Sequence, residues 1–414
     1  MRKTELLIPA GSLEVLKTAV MYGADAVYFG GEAFGLRAKA KNFSKEDMKE
    51  GIAFAHARGV RVYITANILA HNDDLAGVEQ YFEELREIGP DALIISDPGV
   101  FGIARRVLPD MEIHISTQAN NTNYGTYLFW YSLGAKRVVS ARELSLAEIR
   151  QIRDRIPEDM EIESFIHGAM CISYSGRCLL SNYLTGRDAN QGACTHPCRW
   201  KYTLMEEKRP GEYMPVYENE RGTFIFNSKD LCMVEHIPEM IEAGIDSFKI
   251  EGRMKTALYV ATVARAYRHA IDDYQKDPNL YRERLPWYRA EIAKCTNREF
   301  TTGFYFGKPG ADAQIYTNNT YSTDYTYLGT ISEVDERGFG RFEQKNKFSV
   351  GESIEVMRPD GANIQATVRG LYDEEKNAVE SAPHARQILY VDLGMELREY
   401  DILRRKEEEN KEEQ

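Results

Sequence analysis

The 414 residues carry 52 Lys and Arg against 64 Asp and Glu, a net charge of −12, and are 43% hydrophobic and 28% charged. That length predicts at least two domains, and the acidic balance argues against a nucleic-acid-coating protein while leaving room for a local basic cleft. No apolar run approaches the roughly 20 residues of a bilayer span, and the stretch Leu6 to Ala10 is too short for a signal-peptide core, so a cytoplasmic protein with no membrane partner is expected.

From Glu5 to about Gly252 one phrase recurs, in which an amphipathic helix ends at a glycine and a short β-branched or aromatic strand follows. LLIPA is the first strand; MYGADAVYF, ARGVRVYI, EIGPDALII, SLGAKRVV and EAGIDSFKI carry the phrase through Gly23, Gly59, Gly89, Gly134 and Gly244. Glycine suits the left-handed residue that closes a helix. The near-continuous apolar strands are those of parallel strands buried on both faces. With EIHIS from Glu112 and EIESFI from Glu161, eight strands alternate with helices, which predicts an α/β fold, a TIM-type (β/α)8 barrel. An open doubly wound sheet is the alternative, but no GxGxxG follows the first strand.

The barrel domain is expected over residues 1–298, with an insertion at about 199–228 where MPVYENERGTFIF reads as a β-hairpin and FIFNS from Phe224 belongs to it. After the helical stretch Leu258 to Ala293 the texture becomes LGTISEVDERGFG, FSVGESIEVMRPDG and ILYVDLG. This predicts a small C-terminal antiparallel β-barrel over 299–405. The charged tail 406–414 is expected to fray.

Five of the six cysteines lie between Cys171 and Cys232, and in a reducing compartment such clustering favours metal over disulfides. TIM-barrel chemistry sits at the C-terminal strand ends. The strand EIESFI ends at His167 and Gly168, and Cys171 follows; Cys178 comes next, Cys194 and Cys198 lie in GACTHPCRW, and Cys232 follows NSKDL. Three chain segments therefore bring thiols to one rim, while Cys295, on a downstream helix, receives no role. Zinc and iron–sulfur clusters both accept four thiolates. A C-x6-C pair followed by a 15-residue gap is not a zinc-knuckle pattern, which favours a cluster.

Strand-end polar residues complete the expected rim: Asn67, Asp97, Thr117, Gln118, Arg142, Glu143, His167, Lys249, Glu251 and Arg253. In KIEGRMK, Lys249, Arg253 and Lys255 bring positive charge to the barrel opening, with Glu251 available to orient one of them. Such cations suit a dicarboxylate or an RNA phosphate. His167 is placed to move protons or to fix the turn as a hydrogen-bond donor. RAKAKNF adds Arg37, Lys39 and Lys41, and Arg177, Arg187, Arg199 and Lys201 surround the cysteines with Tyr174, Tyr183 and Trp200 interleaved. Cations among aromatics suit a flipped-out, stacked base.

These residues carry a family resemblance. Glu163-Ser-Phe165-Ile-His-Gly168-Ala169-Met170-Cys171-x4-Gly176-x-Cys178-x-Leu180-Ser181 is similar to the signature of the U32 peptidase or collagenase-like family, with no position departing from it. PAG at Pro9 to Gly11, DAVYFGG, CTHPCRWKY, NSKDLC and KIEGRMK also resemble that family, so the likeness covers nearly the whole chain. It implies two incompatible activities. One is proteolysis, including collagen degradation. The other is oxygen-independent hydroxylation supported by a [4Fe–4S] cluster, in branches acting on a tRNA wobble uridine, a ribosomal RNA cytidine or ubiquinone precursors. The two RNA branches are linked to prephenate.

The length and the single short C-terminal β-domain look most similar to the tRNA uridine 5-hydroxylation branch. The resemblance thus implies a tRNA anticodon loop as partner, prephenate as a dicarboxylate co-substrate, and a possible second U32 chain. It implies Cys171, Cys178 and Cys194 as cluster ligands; Cys232 is taken as the fourth, with Cys198 as the alternative. The chain has neither HExxH nor GxSxG. A Cys171–His167 thiol dyad is conceivable, but neighbouring thiols would compete for metal and oxidise. The expectation is therefore cluster-dependent tRNA hydroxylation, with His167, Lys249, Glu251 and Arg253 catalytic. Arg37, Lys39, Lys41, Arg142, Arg177, Arg199 and Lys255 are expected to face RNA. A peptidase or a metal-stabilised scaffold is the alternative. KFSVGESIEV resembles the small barrels of translation factors, which would let the C-terminal domain grip tRNA.

Overall fold

The computed structural model describes residues 3–31, 43–171, 173–175, 177–199, four two-residue strands between 204 and 223, 228–309 and 324–407. The repeated phrase folds as predicted into β1 (Glu5–Pro9), β2 (Ala26–Gly30), β3 (Arg61–Ala66), β4 (Ala92–Ile95), β5 (Glu112–Ile115), β6 (Arg137–Val139) and β7 (Glu161–Ala169). After the insertion come β8 (Asp230–Cys232), the helix α8 (Ile237–Glu242) and β9 (Ser247–Ile250). Strand β9 pairs in parallel with β1, Leu6 opposite Phe248, and with β7, Phe248 opposite Ser164. These two pairings close an eight-stranded parallel barrel. All five helix-ending glycines of the repeat have positive φ, the geometry that glycine adopts without a Cβ clash.

Each strand is followed by a helix: α1 (Leu13–Met21), α2 (Lys45–His56), α3 (Val78–Ile88), α4 (Pro98–Val107), α5 (Tyr124–Ser132) and α6 (Leu146–Arg153). Ser44 and Ser145 begin α2 and α6 with capping boxes, and Asp97 caps α4 through the amides of Gly99 and Val100. These caps satisfy the first amides of each helix. They also fix where each strand-to-helix loop ends, at the face where the strands finish.

Two further strands lie outside the ring. Strand β8 runs antiparallel to β7, and β10 (Phe300–Thr301) runs parallel to β8. Phe300 and Thr301 therefore hydrogen-bond within the barrel sheet. In the insertion, Leu204–Met205 pairs with Tyr213–Met214 and Glu218–Asn219 with Gly222–Thr223, both antiparallel. Residues 224–227, where FIFNS begins, lie outside the described residues.

The C-terminal part is an eight-stranded antiparallel half-barrel. It is built from β11 (Tyr325–Val334), β12 (Gly340–Glu343), β13 (Ser353–Met357), β14 (Asn363–Thr367), β15 (Gly370–Tyr372), β16 (Ala378–Val379), β17 (Ile388–Asp392) and β18 (Ile402–Lys406). Their order is β14-β13-β18-β11-β12-β17-β15-β16, around a core that includes Leu328, Phe342, Val356 and Leu389. This sheet docks on the helices α9 (Ala257–Lys276) and α10 (Pro278–Ala293) through a buried ionic cluster. Arg265 and Arg404 both bond Glu291, and Arg404 also bonds Glu355. Burial alone would raise the Glu291 pKa, but the two guanidinium groups hold it at about 2. The Tyr22 hydroxyl adds bonds of 2.8 Å to the carbonyls of Met357 and Tyr400. No described helix is long and apolar enough to cross a membrane.

Candidate active site at the mouth of the barrel

Charge begins deep in the barrel. Arg137 of β6 is 2.5 Å from Glu5 of β1, 2.5 Å from Glu161 and 3.1 Å from Glu163, both of β7. Glu163, fully buried, also holds Lys249 of β9 at 2.7 Å. Burial would raise the Glu163 pKa, yet Lys249 and then Arg137 outweigh it and keep the group below the usual carboxylate range. The Lys249 ammonium sits 4.3 Å over the Tyr28 ring, a favourable cation–π placement. It thus stands at the floor of a cavity of about 480 Å³ at the strands' C-terminal ends.

Two glycines shape that mouth by close approach. A Cβ on Gly11 would lie 2.1 Å from the Arg253 carbonyl, and one on Gly168 would lie 2.6 Å from the Glu251 carbonyl. The PAG and HGA segments therefore hold the loop after β9 against β1 and β7. From that loop Arg253 turns inward and donates to Thr65 Oγ1 of β3 at 2.9 Å. Arg142 donates to the Ala169 carbonyl at 2.8 Å and stacks 5.0 Å from the Phe165 ring. Arg142, Arg187, Lys249 and Arg253 line the cavity against the one carboxylate of Glu251.

Thiols line the same cavity. Cys171 follows β7 directly, while Cys178 precedes the short helix α7 (Leu180–Thr185). A hydroxyl network ties that helix to the next segment: Ser181 Oγ lies 3.0 Å from Thr195 Oγ1 and accepts the Thr195 amide at 3.1 Å. Asn190 donates to the Cys178 carbonyl at 3.3 Å, and the His196 amide donates to Cys194 Sγ at 3.4 Å. Cys171, Cys178, Cys194 and Cys198 all line the cavity. Among the described residues no group of three or more His, Cys, Asp or Glu side chains stands as a metal site.

Two of the expected site residues lie outside the cavity lining. His167 does not line the cavity. Glu163 and Phe165 face the barrel interior, and regular alternation would bring His167 there too. Instead Lys249 pairs with Phe165 and Ile250 with His167, an irregularity that passes over Ile166. Such a bulge reverses which face the following residue takes. His167 therefore packs among Tyr259, Tyr267 and Phe300. Burial, then the charge of Lys255, lowers its pKa to about 3. Cys232 is paired directly opposite His167 and shares its face. The Tyr267 hydroxyl lies 3.7 Å from its sulfur and burial raises its pKa. It too is absent from the cavity lining.

Lys255 sits 4.8 Å over the Tyr259 ring, outside the lining residues, and Arg177 is exposed beside the mouth. Arg37, Lys39, Lys41, Trp200, Lys201 and the Arg199 side chain lie outside the described residues. Asp97 serves as a helix cap. Sequence reading missed Glu163, Tyr28 and Thr65. An acidic residue at an inward position of a barrel strand was the available signal for Glu163.

The sequence profile of peptidase family U32 matches residues 11–315, and that of the family's C-terminal domain matches 323–404. The chain is 42% identical over 405 residues to tRNA hydroxylation protein P1 of Bacillus subtilis, covering 98% of this chain and 95% of that protein. It is 39% identical to tRNA hydroxylation protein P of Escherichia coli, with 92% of each chain covered. An uncharacterized protease of Methanocaldococcus jannaschii is 45% identical, over 93% of this chain and 94% of that protein. On both the profile and these relatives, the chain belongs to peptidase family U32.

Proposed function

We propose that this chain is a tRNA-modifying enzyme that supports oxygen-independent hydroxylation of a wobble uridine in an anticodon loop, giving 5-hydroxyuridine. The observation that carries the reading is the cationic lining of the cavity: Arg142, Arg187, Lys249 and Arg253 against Glu251 and, beneath Lys249, Glu163, in a chain of net charge −12. A cationic cleft on an acidic body concentrates anionic substrates. tRNA hydroxylation is the activity named for the Bacillus subtilis and Escherichia coli relatives. The rim adds exposed Tyr174 and Tyr183, the latter 85% exposed, and aromatic side chains stack unpaired bases.

The donor set fits an iron–sulfur cluster in kind, since thiolates are its usual ligands. Cys171, Cys178 and Cys194 would hold a [4Fe–4S] cluster; the cavity lining favours Cys198 over Cys232 as the fourth thiol. When bound, such a cluster supplies one-electron transfer beside the substrate. Lys249, fixed by Glu163, and Arg253, fixed by Thr65, would bind the carboxylates of prephenate or a similar dicarboxylate. Glu251 lines the same cavity and would orient the incoming group. His167 has no part in this arrangement, and a Cys171–His167 peptidase dyad finds no support because the two side chains do not share the cavity.

The test is mass spectrometry of tRNA nucleosides from a deletion strain with and without the gene restored. Return of 5-hydroxyuridine with the gene supports the reading, and an unchanged nucleoside profile overturns it. Iron and sulfide in anaerobically purified Cys198→Ala and Cys232→Ala protein assign the fourth ligand. Loss in Cys198→Ala alone agrees with the cavity, whereas loss in Cys232→Ala alone requires that thiol to rotate through the strand.

A further inference from the structure

Resting on that reading, we infer that Arg187 anchors a backbone phosphate of the RNA loop, the phosphodiester beside the target base, at the lip of the cavity. Of the four cations that line this cavity, three are already held. Lys249 is paired with Glu163, Arg253 donates to Thr65, and Arg142 spans the Ala169 carbonyl and the Ser175 hydroxyl, the latter at 3.4 Å. Among the described residues nothing answers Arg187: its Nε is enclosed without an acceptor, and no carboxylate or carbonyl meets its terminal nitrogens. The neighbouring Asp188 carboxylate instead accepts the Asn190 amide at 2.7 Å.

The backbone that carries Arg187 is fixed on both sides. Gly186 ends helix α7 in the left-handed region, at φ 66°. Beyond it, the Ala193 amide donates to the Asp188 carbonyl at 2.9 Å, and the Asn190 side chain donates to the Cys178 carbonyl. The Asn190 carbonyl accepts the Leu69 amide, from the loop after β3, at 3.5 Å. Arg187 thus stands on a preorganised support between the thiol-bearing segment and the end of β3.

Depth selects the ligand. Lys249 and Arg253 are buried, 4% and 8% exposed, whereas Arg187 and Arg142 are half-buried. A small dicarboxylate reaches the buried pair, but a nucleic-acid backbone stays at the lip while one base turns in. Arg142 is committed there to the segment between β7 and Cys178, which leaves Arg187. A guanidinium grips a phosphate through two parallel hydrogen bonds, and Tyr183, on the helix that ends just before Arg187, offers a face for a neighbouring base. Phosphate contacts set register and depth and carry no sequence information. Arg187 therefore fixes how far the base enters and leaves its identity to the rest of the cavity.

The test uses full-length protein purified anaerobically and an RNA anticodon stem-loop in which single loop phosphates are replaced in turn by uncharged methylphosphonates. Wild-type protein is expected to lose about tenfold in affinity at one linkage beside the target uridine, the range of one charged hydrogen-bonded contact. Arg187→Met, with iron and sulfide content and near-ultraviolet circular dichroism as in wild type, should bind the unmodified loop about tenfold more weakly. It should show no further loss at that linkage, and Arg187→Lys should recover part of the affinity. The slope of log affinity against log salt should become shallower by about 0.7 in Arg187→Met, the value for one phosphate on a single strand. No sensitive linkage in wild type, or one that persists undiminished in Arg187→Met, overturns the phosphate site and leaves the tRNA reading standing. Unchanged RNA binding in Arg187→Met with prephenate binding lost makes the residue a carboxylate site and overturns the proposal as well. Wild-type binding to the stem-loop no tighter than to a plain duplex overturns both.

Discussion

The two ends of the barrel both bury charge, but they do so differently. Near the N-terminal end, Arg137 is surrounded by Glu5, Glu161 and Glu163, and Glu5 is further bonded by Tyr63 and Ser247. Those groups answer one another, and Glu5 is held at about 2 by that company in spite of its burial. At the C-terminal mouth, Arg142, Arg187, Lys249 and Arg253 line one cavity with the carboxylate of Glu251, and Lys249 is answered from below by Glu163. A network whose charges close on one another reads as structure, and an excess of cations lining a cavity reads as a place for an anion. Glu163 belongs to both, since it bridges Arg137 below to Lys249 above.

Substitutions at the two ends should separate stability from function. Arg137→Met leaves Glu5, Glu161 and Glu163 facing one another and is expected to lower unfolding stability by about 3–5 kcal/mol, read from urea unfolding. Lys249→Met leaves Glu163 still paired with Arg137, so the loss should be smaller, roughly 1–2 kcal/mol, while substrate binding disappears. Equal losses in the two variants would erase the distinction between the ends.

The eight-strand ring and the gathering of cysteines were legible because several local signals agreed. Each strand carried its apolar run, each helix its closing glycine, and the thiols followed strand ends. The side-chain directions at the end of β7 were not legible. A one-residue irregularity exchanges faces without changing composition, and Phe165-Ile166-His167 offers no glycine or proline to announce it. That single bulge turned His167 outward, and Cys232 with it through their pairing. Thr65 was equally hidden, because its role depends on an arginine that arrives from the far end of the barrel chain.

The outward His167 has its own signature. Its pKa is about 3 in the folded chain, against the ordinary value of 6.5. Between those values the unfolded chain holds a proton that the folded chain does not, so stability falls as pH drops below about 6.5. Each such proton contributes at most about 1.4 kcal/mol per pH unit. His167→Gln should flatten the stability profile between about pH 6.5 and 5, above the range in which carboxylates titrate. His114, also buried with a lowered pKa, would retain its share of the slope. An unchanged profile would mean that His167 is exposed to solvent, and with it the face assigned to Cys232.

The most direct test is the nucleoside content of tRNA from a strain whose only copy of this gene carries Lys249→Met. With the protein present at wild-type abundance and folded, 5-hydroxyuridine should be absent. Normal 5-hydroxyuridine in that strain would contradict the cavity as the place where the chemistry occurs.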